Sequence, residues 1–86
     1  MHTVELLEQA LDLAGRLGYK IRQEWLGGIG GGGCELAGRK ILFLDLALNP
    51  AEQLDQVLDA LRHEPAATAL PMPHQLRDLL KVRKSA

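Results

Sequence analysis

Residues 25–46 read WLGGIGGGGCELAGRKILFLDL, with six glycines in the seven positions 27–33. The fold turns on what those glycines connect. Between a strand and a helix they would cradle a phosphate at the helix amino end and imply a dinucleotide-binding unit; between two strands they are a connection. By letter, Gly28, Gly30 and Gly33 satisfy G-x-G-x-x-G. The mechanism behind that pattern needs a helix at once, and CELAGRK (34–40) is too short and too glycine-flanked to form one. Cys34 and Glu35 also stand where the Lys and Ser or Thr of a phosphate loop would follow Gly33. The run therefore reads as a strand-to-strand connection, with Gly28, Gly30, Gly31 and Gly33 as the candidates if it forms a small anion nest.

Working outward, residues 34–37 read as a short strand and 40–46 as a longer one. A turn at Gly38 and Arg39 joins them into a hairpin. Before the glycines, the period of two from Tyr19 predicts another strand, with Tyr19, Ile21 and Trp25 on one side and Lys20, Arg22 and Glu24 on the other. Upstream, Val4, Leu7, Leu11 and Ala14 recur at helical spacing, Thr3 is the expected cap, and Gly18 is placed to end the helix. Downstream, Asn49, Pro50 and Glu52 form an N-x-x-E capping signal ahead of Leu54, Val57, Leu58 and Leu61. Pro65 stops that helix. The expected fold is α+β: a two-layer sandwich in which a three-stranded antiparallel meander is backed by two helices, in the order α-β-β-β-α. Residues 1–64 form the compact domain. Residues 65–86 form a Pro/Ala-rich linker and a short basic C-terminal helix carrying Leu76, Leu79 and Leu80.

Eighty-six residues allow one domain with one modest core. Leucine occurs 18 times against three aromatics, Tyr19, Trp25 and Phe43, so that core is aliphatic and a deep aromatic pocket is not expected. Ten basic and eleven acidic residues leave a net charge of -1, which provides no field to gather nucleic acid, membrane or charged substrate. Only the end is basic, with Arg77, Lys81, Arg83 and Lys84 against Asp78, and it lacks the interleaved aromatics of a nucleic-acid surface. A single cysteine excludes an internal disulfide, and no apolar run approaches the roughly 18 residues of a membrane span. A cytoplasmic protein without membrane or nucleic-acid partner is the expectation.

Signals for chemistry are sparse. Cys34 would need a histidine beside it to act as a nucleophile, and His2, His63 and His74 fall in a terminus, a helix end and a linker. One cysteine and three scattered histidines lack the paired spacing of a zinc site, so neither metal nor cofactor is expected. Asp45 is the oddest charge, an acid inside ILFLDLAL (41–48). It reads as an edge residue or a partner for Arg22, Arg39 or Lys40; as a general acid or base it would need Glu24 or Glu35 close by.

With the strand, glycine run, hairpin and LDLALNPAEQLDQVLDAL (44–61) in place, the chain resembles small uncharacterised bacterial proteins, a likeness that implies no activity. The order of elements also resembles the part of small zinc metallopeptidases in which the helix after the sheet carries H-E-x-x-H. Here that helix reads PAEQLDQVLDAL (50–61), without histidine, so the resemblance implies an inactive remnant.

The residues that remain point to association. In the third strand Leu42, Leu44 and Leu46 alternate with Ile41 and Phe43, so the strand is apolar on both faces. One set packs under the helices. The other, with Trp25 and Tyr19, is covered either by Leu70 and Met72 of the tail or by another protein. A non-enzymatic module that forms a homodimer or binds an unknown protein partner is the leading expectation, ahead of an anion- or nucleotide-binding accessory domain.

Overall fold

The computed structural model describes residues 2–28 and 30–81. It is an α+β domain with three helices and a three-stranded sheet: α1 (Thr3–Arg16), β1 (Lys20–Glu24), β2 (Gly32–Leu36), β3 (Arg39–Asp45), α2 (Pro50–Arg62) and α3 (His74–Lys81). Each helix forms where its local chemistry allows. In α2, the Asn49 side chain accepts from the Glu52 amide at 2.9 Å, the Glu52 carboxylate accepts from the Asn49 amide at 3.1 Å, and Pro50 supplies a first-turn φ without needing a partner for a missing N–H. In α1 the cap is His2, one residue before the expected Thr3, and it makes no side-chain bond. Its buried face is Leu6, Leu7, Ala10, Leu13 and Ala14, with Val4 left exposed. Gly18, at φ 95°, ends the helix as the sequence indicates.

The sheet is mixed, which corrects the antiparallel meander. Its order is β1-β3-β2: β1 runs parallel to β3, with Lys20 beside Ile41 through Glu24 beside Asp45, and β2 runs antiparallel to β3, with Gly32 beside Phe43 through Leu36 beside Arg39. The physical reason lies in the strand compositions. The strand that is apolar on both faces takes the central slot, where both its edges are hydrogen-bonded. The charged β1 and the glycine-rich β2 take the edges. The glycine stretch must then cross the end of β3, a distance of two strand spacings or about 10 Å, which a two-residue turn cannot span. The hairpin turn sits at Ala37 and Gly38, one residue earlier than the sequence suggested, with φ at 52° and 78°. Two positive φ values in succession define a type I′ turn, whose twist matches the flanking strands.

Leu42 and Leu44 join one core with Leu6, Leu13, Leu54, Val57, Leu58, Leu61 and Leu76. All three helices bury residues in it; Ile41 and Phe43, alternating with Leu42 and Leu44 along β3, do not belong to it. The stretch expected to be a linker is a 3-10 helix over Pro65–Ala69 that buries Ala67, and α3 follows with Leu76 fully buried. Arg77 donates to the carbonyls of Thr68 and Leu70 at 2.9 and 3.1 Å, and Arg62 donates to that of Leu79 at 2.9 Å, so two guanidinium groups hold the turn and the last helix in place. Arg83 and Lys84, the rest of the expected basic end, lie outside the described residues.

Candidate functional site: the glycine crossing and the sheet

The crossing from β1 to β2 is organised around Asp45, the last residue of the central strand. Its side chain is wholly buried. One carboxylate oxygen accepts from the amides of Leu26 and Ala47, at 3.0 and 2.9 Å, and the other accepts from that of Gly28 at 2.7 Å. Of the glycine amides read as a candidate anion nest, that of Gly28 is thus turned inward on the protein's own anion. Burial by itself raises a carboxyl pKa, but the amide bonds from Ala47, Leu26 and Gly28 outweigh it and hold Asp45 below its ordinary 3.8. None of the partners read from the sequence is used: Arg22 pairs with Glu24 at 3.0 Å and Lys40 with Glu64 at 2.8 Å.

A second anchor is Gln56 of α2. Its amide nitrogen donates to the Gly30 carbonyl at 2.9 Å, and its oxygen lies 3.4 Å from the Asp45 backbone nitrogen. The loop passes so close to this side chain that a Cβ on Gly31 would come within 2.5 Å of the Gln56 amide nitrogen. Gly31 also sits at φ 105°, where L side chains are strained. Gly31→Ala is therefore expected to displace Gln56 and destabilise the domain by about 2–3 kcal/mol, read by chemical denaturation. A loss under half a kilocalorie would show the crossing to be slack.

The remaining candidates scatter. Cys34 is exposed on edge strand β2, and Gly33 beside it packs against Ala60 of α2, where a Cβ would approach the Ala60 Cβ to 3.1 Å. His63 caps α2 with Nδ1 2.8 Å from the Asp59 carbonyl oxygen, and His74 lies 3.2 Å from Asp78 at the exposed start of α3. Among the described residues no three His, Cys, Asp or Glu gather as a metal site would require. A cleft of about 450 Å³ opens between the β2 side of the sheet and the end of α2, lined by Tyr19, Glu35, Lys40, Asp59 and Glu64. Its one organised feature is the Lys40–Glu64 pair, with the ammonium 5.7 Å from the Tyr19 ring centre. The hydrogen bond to Glu64, opposed by partial burial, raises the Lys40 pKa above 10.5.

The residues expected to form one association surface divide. Tyr19, Leu70 and Met72 pack against the helical core, so the two tail residues do not plug the outer face of the sheet. Ile41 and Phe43 are half-buried outside that core, Leu36 is 56% exposed, and Trp25, just past the end of β1, is 75% exposed. Sequence reasoning missed Gln56 and the Lys40–Glu64 pair. A signal for Gln56 existed: it stands one turn before the small Ala60, and that stripe of α2 is the one that meets Gly31 and Gly33. Among the described residues no helix is long and apolar enough to cross a membrane. Compared with protein-family models, curated proteins and solved structures, the chain finds no match.

Proposed function

We propose that this chain is a small non-enzymatic module that associates with another protein through the sheet. In this reading the architecture is two-layered, with helices on the Leu42 and Leu44 face only, and the face of Ile41 and Phe43 is where the partner docks. The observation that carries it is the alternation along β3: two leucines enter the helical core while the isoleucine and phenylalanine between them remain outside it. An apolar pair on the central strand, half-buried and bordered by the exposed Leu36, is an apolar patch that the helical core among the described residues does not take up. Support from the opposite direction comes from Asp45, whose carboxylate is buried and accepts from three backbone amides, which commits it to holding the crossing and keeps it away from solvent.

Native mass spectrometry across the micromolar range tests the reading. The wild type is expected as an assembly that grows with concentration, and Phe43→Lys is expected to weaken it roughly tenfold or more while leaving circular dichroism unchanged. A wild type that stays monomeric throughout, or a Phe43→Lys protein that assembles normally, sinks it.

A further inference from the structure

We infer that β2 is a self-pairing edge: two copies join through this strand, antiparallel about a twofold axis at Cys34, to make one six-stranded sheet. This rests on the association reading above and names the partner as a second copy of this chain.

The two edges of the sheet differ in how they are guarded. β1 presents Lys20, Arg22 and Glu24, the charged side chains that discourage edge pairing. β2 is Gly-Gly-Cys-Glu-Leu, with one charge, no lysine and no proline, and its residues 33–36 are all exposed. It is an unprotected edge in a domain whose other edge is protected.

The hydrogen-bond phase of that edge follows from the turn. In the type I′ turn at Ala37 and Gly38, Leu36 and Arg39 are the closing pair and bond to each other. Antiparallel pairs alternate between bonded and non-bonded, so Cys34–Ile41 and Gly32–Phe43 are also bonded pairs, directing the backbone groups of Leu36, Cys34 and Gly32 toward β3. The N–H and C=O groups of Gly33 and Glu35 therefore project from the free edge. An antiparallel copy centred on Cys34 sets Glu35 opposite Gly33 of the second copy and Leu36 opposite Gly32 of the second copy. The projecting groups then meet in register, and two Cys34 residues face each other as a non-bonded pair about 4.5 Å apart at Cα.

The side chains agree with that register. Each large one meets a glycine. Leu36, 56% exposed in one copy, lies over the bare Gly32 position and beside the Phe43 that pairs with it, so both apolar side chains gain cover. Glu35 faces Gly33 and not another carboxylate, so no like charges are opposed across the axis. A five-residue edge is short, and the dimer is expected in the micromolar range.

The Cys34 pair supplies the test. Oxidised glutathione accepts the two electrons: one Cys34 thiolate displaces a glutathione thiolate, and the second Cys34 then displaces the other, leaving one protein disulfide and two reduced glutathiones. A Cα separation of about 4.5 Å suits a disulfide, whereas two cysteines at position 36 would stand about 14 Å apart. The expected result is rapid, complete linkage of the wild type and none of Cys34→Ser/Leu36→Cys. In parallel, Cys34→Lys, with two ammonium groups at the axis, is expected to raise the dissociation constant at least roughly tenfold, while Cys34→Ser stays dimeric. Equal linkage at positions 34 and 36, or a Cys34→Lys dimer of unchanged affinity, overturns the edge pairing; association through the Phe43 face then still stands if Phe43→Lys abolishes it. A wild type that is monomeric throughout overturns both.

Discussion

Asp45→Ala is expected to lower the melting temperature by several degrees and to loosen the glycine crossing, because it removes the buried acceptor of three backbone amides at once. The crossing has almost no side chains with which to hold itself. Its order comes from the Asp45 carboxylate, which binds Leu26, Gly28 and Ala47, and from Gln56, which binds Gly30. Asp45→Asn is the sharper probe. It keeps the shape, but both carboxylate oxygens accept hydrogen bonds, so one position now carries an NH₂ that must face another N–H. It is expected to lose most of what the alanine variant loses. The pH dependence follows the same logic. The folded carboxyl titrates below its ordinary 3.8, so as the pH falls the unfolded chain takes up the proton first. Asp45 then contributes its full stabilisation above about pH 4 and loses it as the pH drops through the folded value. Thermal melts of the wild type should decline in that window, and those of Asp45→Asn should decline less. An Asp45→Asn protein that melts with the wild type at pH 7 would falsify this account of the crossing.

What could be read from the sequence depended on how local the determinant was. The α2 start was legible because Asn49, Pro50 and Glu52 lie within one turn and satisfy each other. The hairpin was legible to within one residue for a similar reason. Strand order was not, since the parallel pairing of β1 with β3 depends on where a seven-residue connection lands, and glycines specify no direction. The one available clue was β3 itself: a strand apolar on both faces is best placed in the centre of a sheet, and Ile41 and Phe43 indicate that position as much as they indicate a partner.

Asp45 shows a different limit. Its oddity was plain, but its partners are backbone amides, which every residue carries and no pattern of side chains announces. A search for cationic partners therefore turns to Arg22, Arg39 and Lys40, which the structure engages elsewhere or leaves on the surface. The same holds for Arg77 and Arg62, whose acceptors are carbonyls. Composition was the weakest guide of all. A stretch with Pro65, Ala66, Ala67, Ala69, Pro71 and Pro73 has the make-up of a linker, yet it forms a 3-10 helix over Pro65–Ala69 in which Ala67 is buried.

Leu76→Ala tests whether that last segment is part of the fold. Leu76 is fully buried in the same core as Leu13, Leu42 and Val57, and it is the one residue of α3 that is. Truncating a buried leucine to alanine costs about 3 kcal/mol through lost transfer energy and the cavity left behind. A domain of this length has only about 4–13 kcal/mol in total. The substitution should therefore remove roughly a quarter or more of the stability, and it should do so in a single transition, because α3 shares its core with α1 and α2. An attached linker with a weakly docked helix behaves otherwise: α3 would be released, its helical signal would fade at low denaturant, and the main transition would keep its midpoint. Urea denaturation followed by far-ultraviolet circular dichroism separates the two. The expected result is one transition with a lower midpoint and an unchanged slope. An unmoved midpoint preceded by an early loss of helix would make residues 65–81 an appendage, and the part of Arg62 and Arg77 in holding the turn and the last helix in place would fall with it.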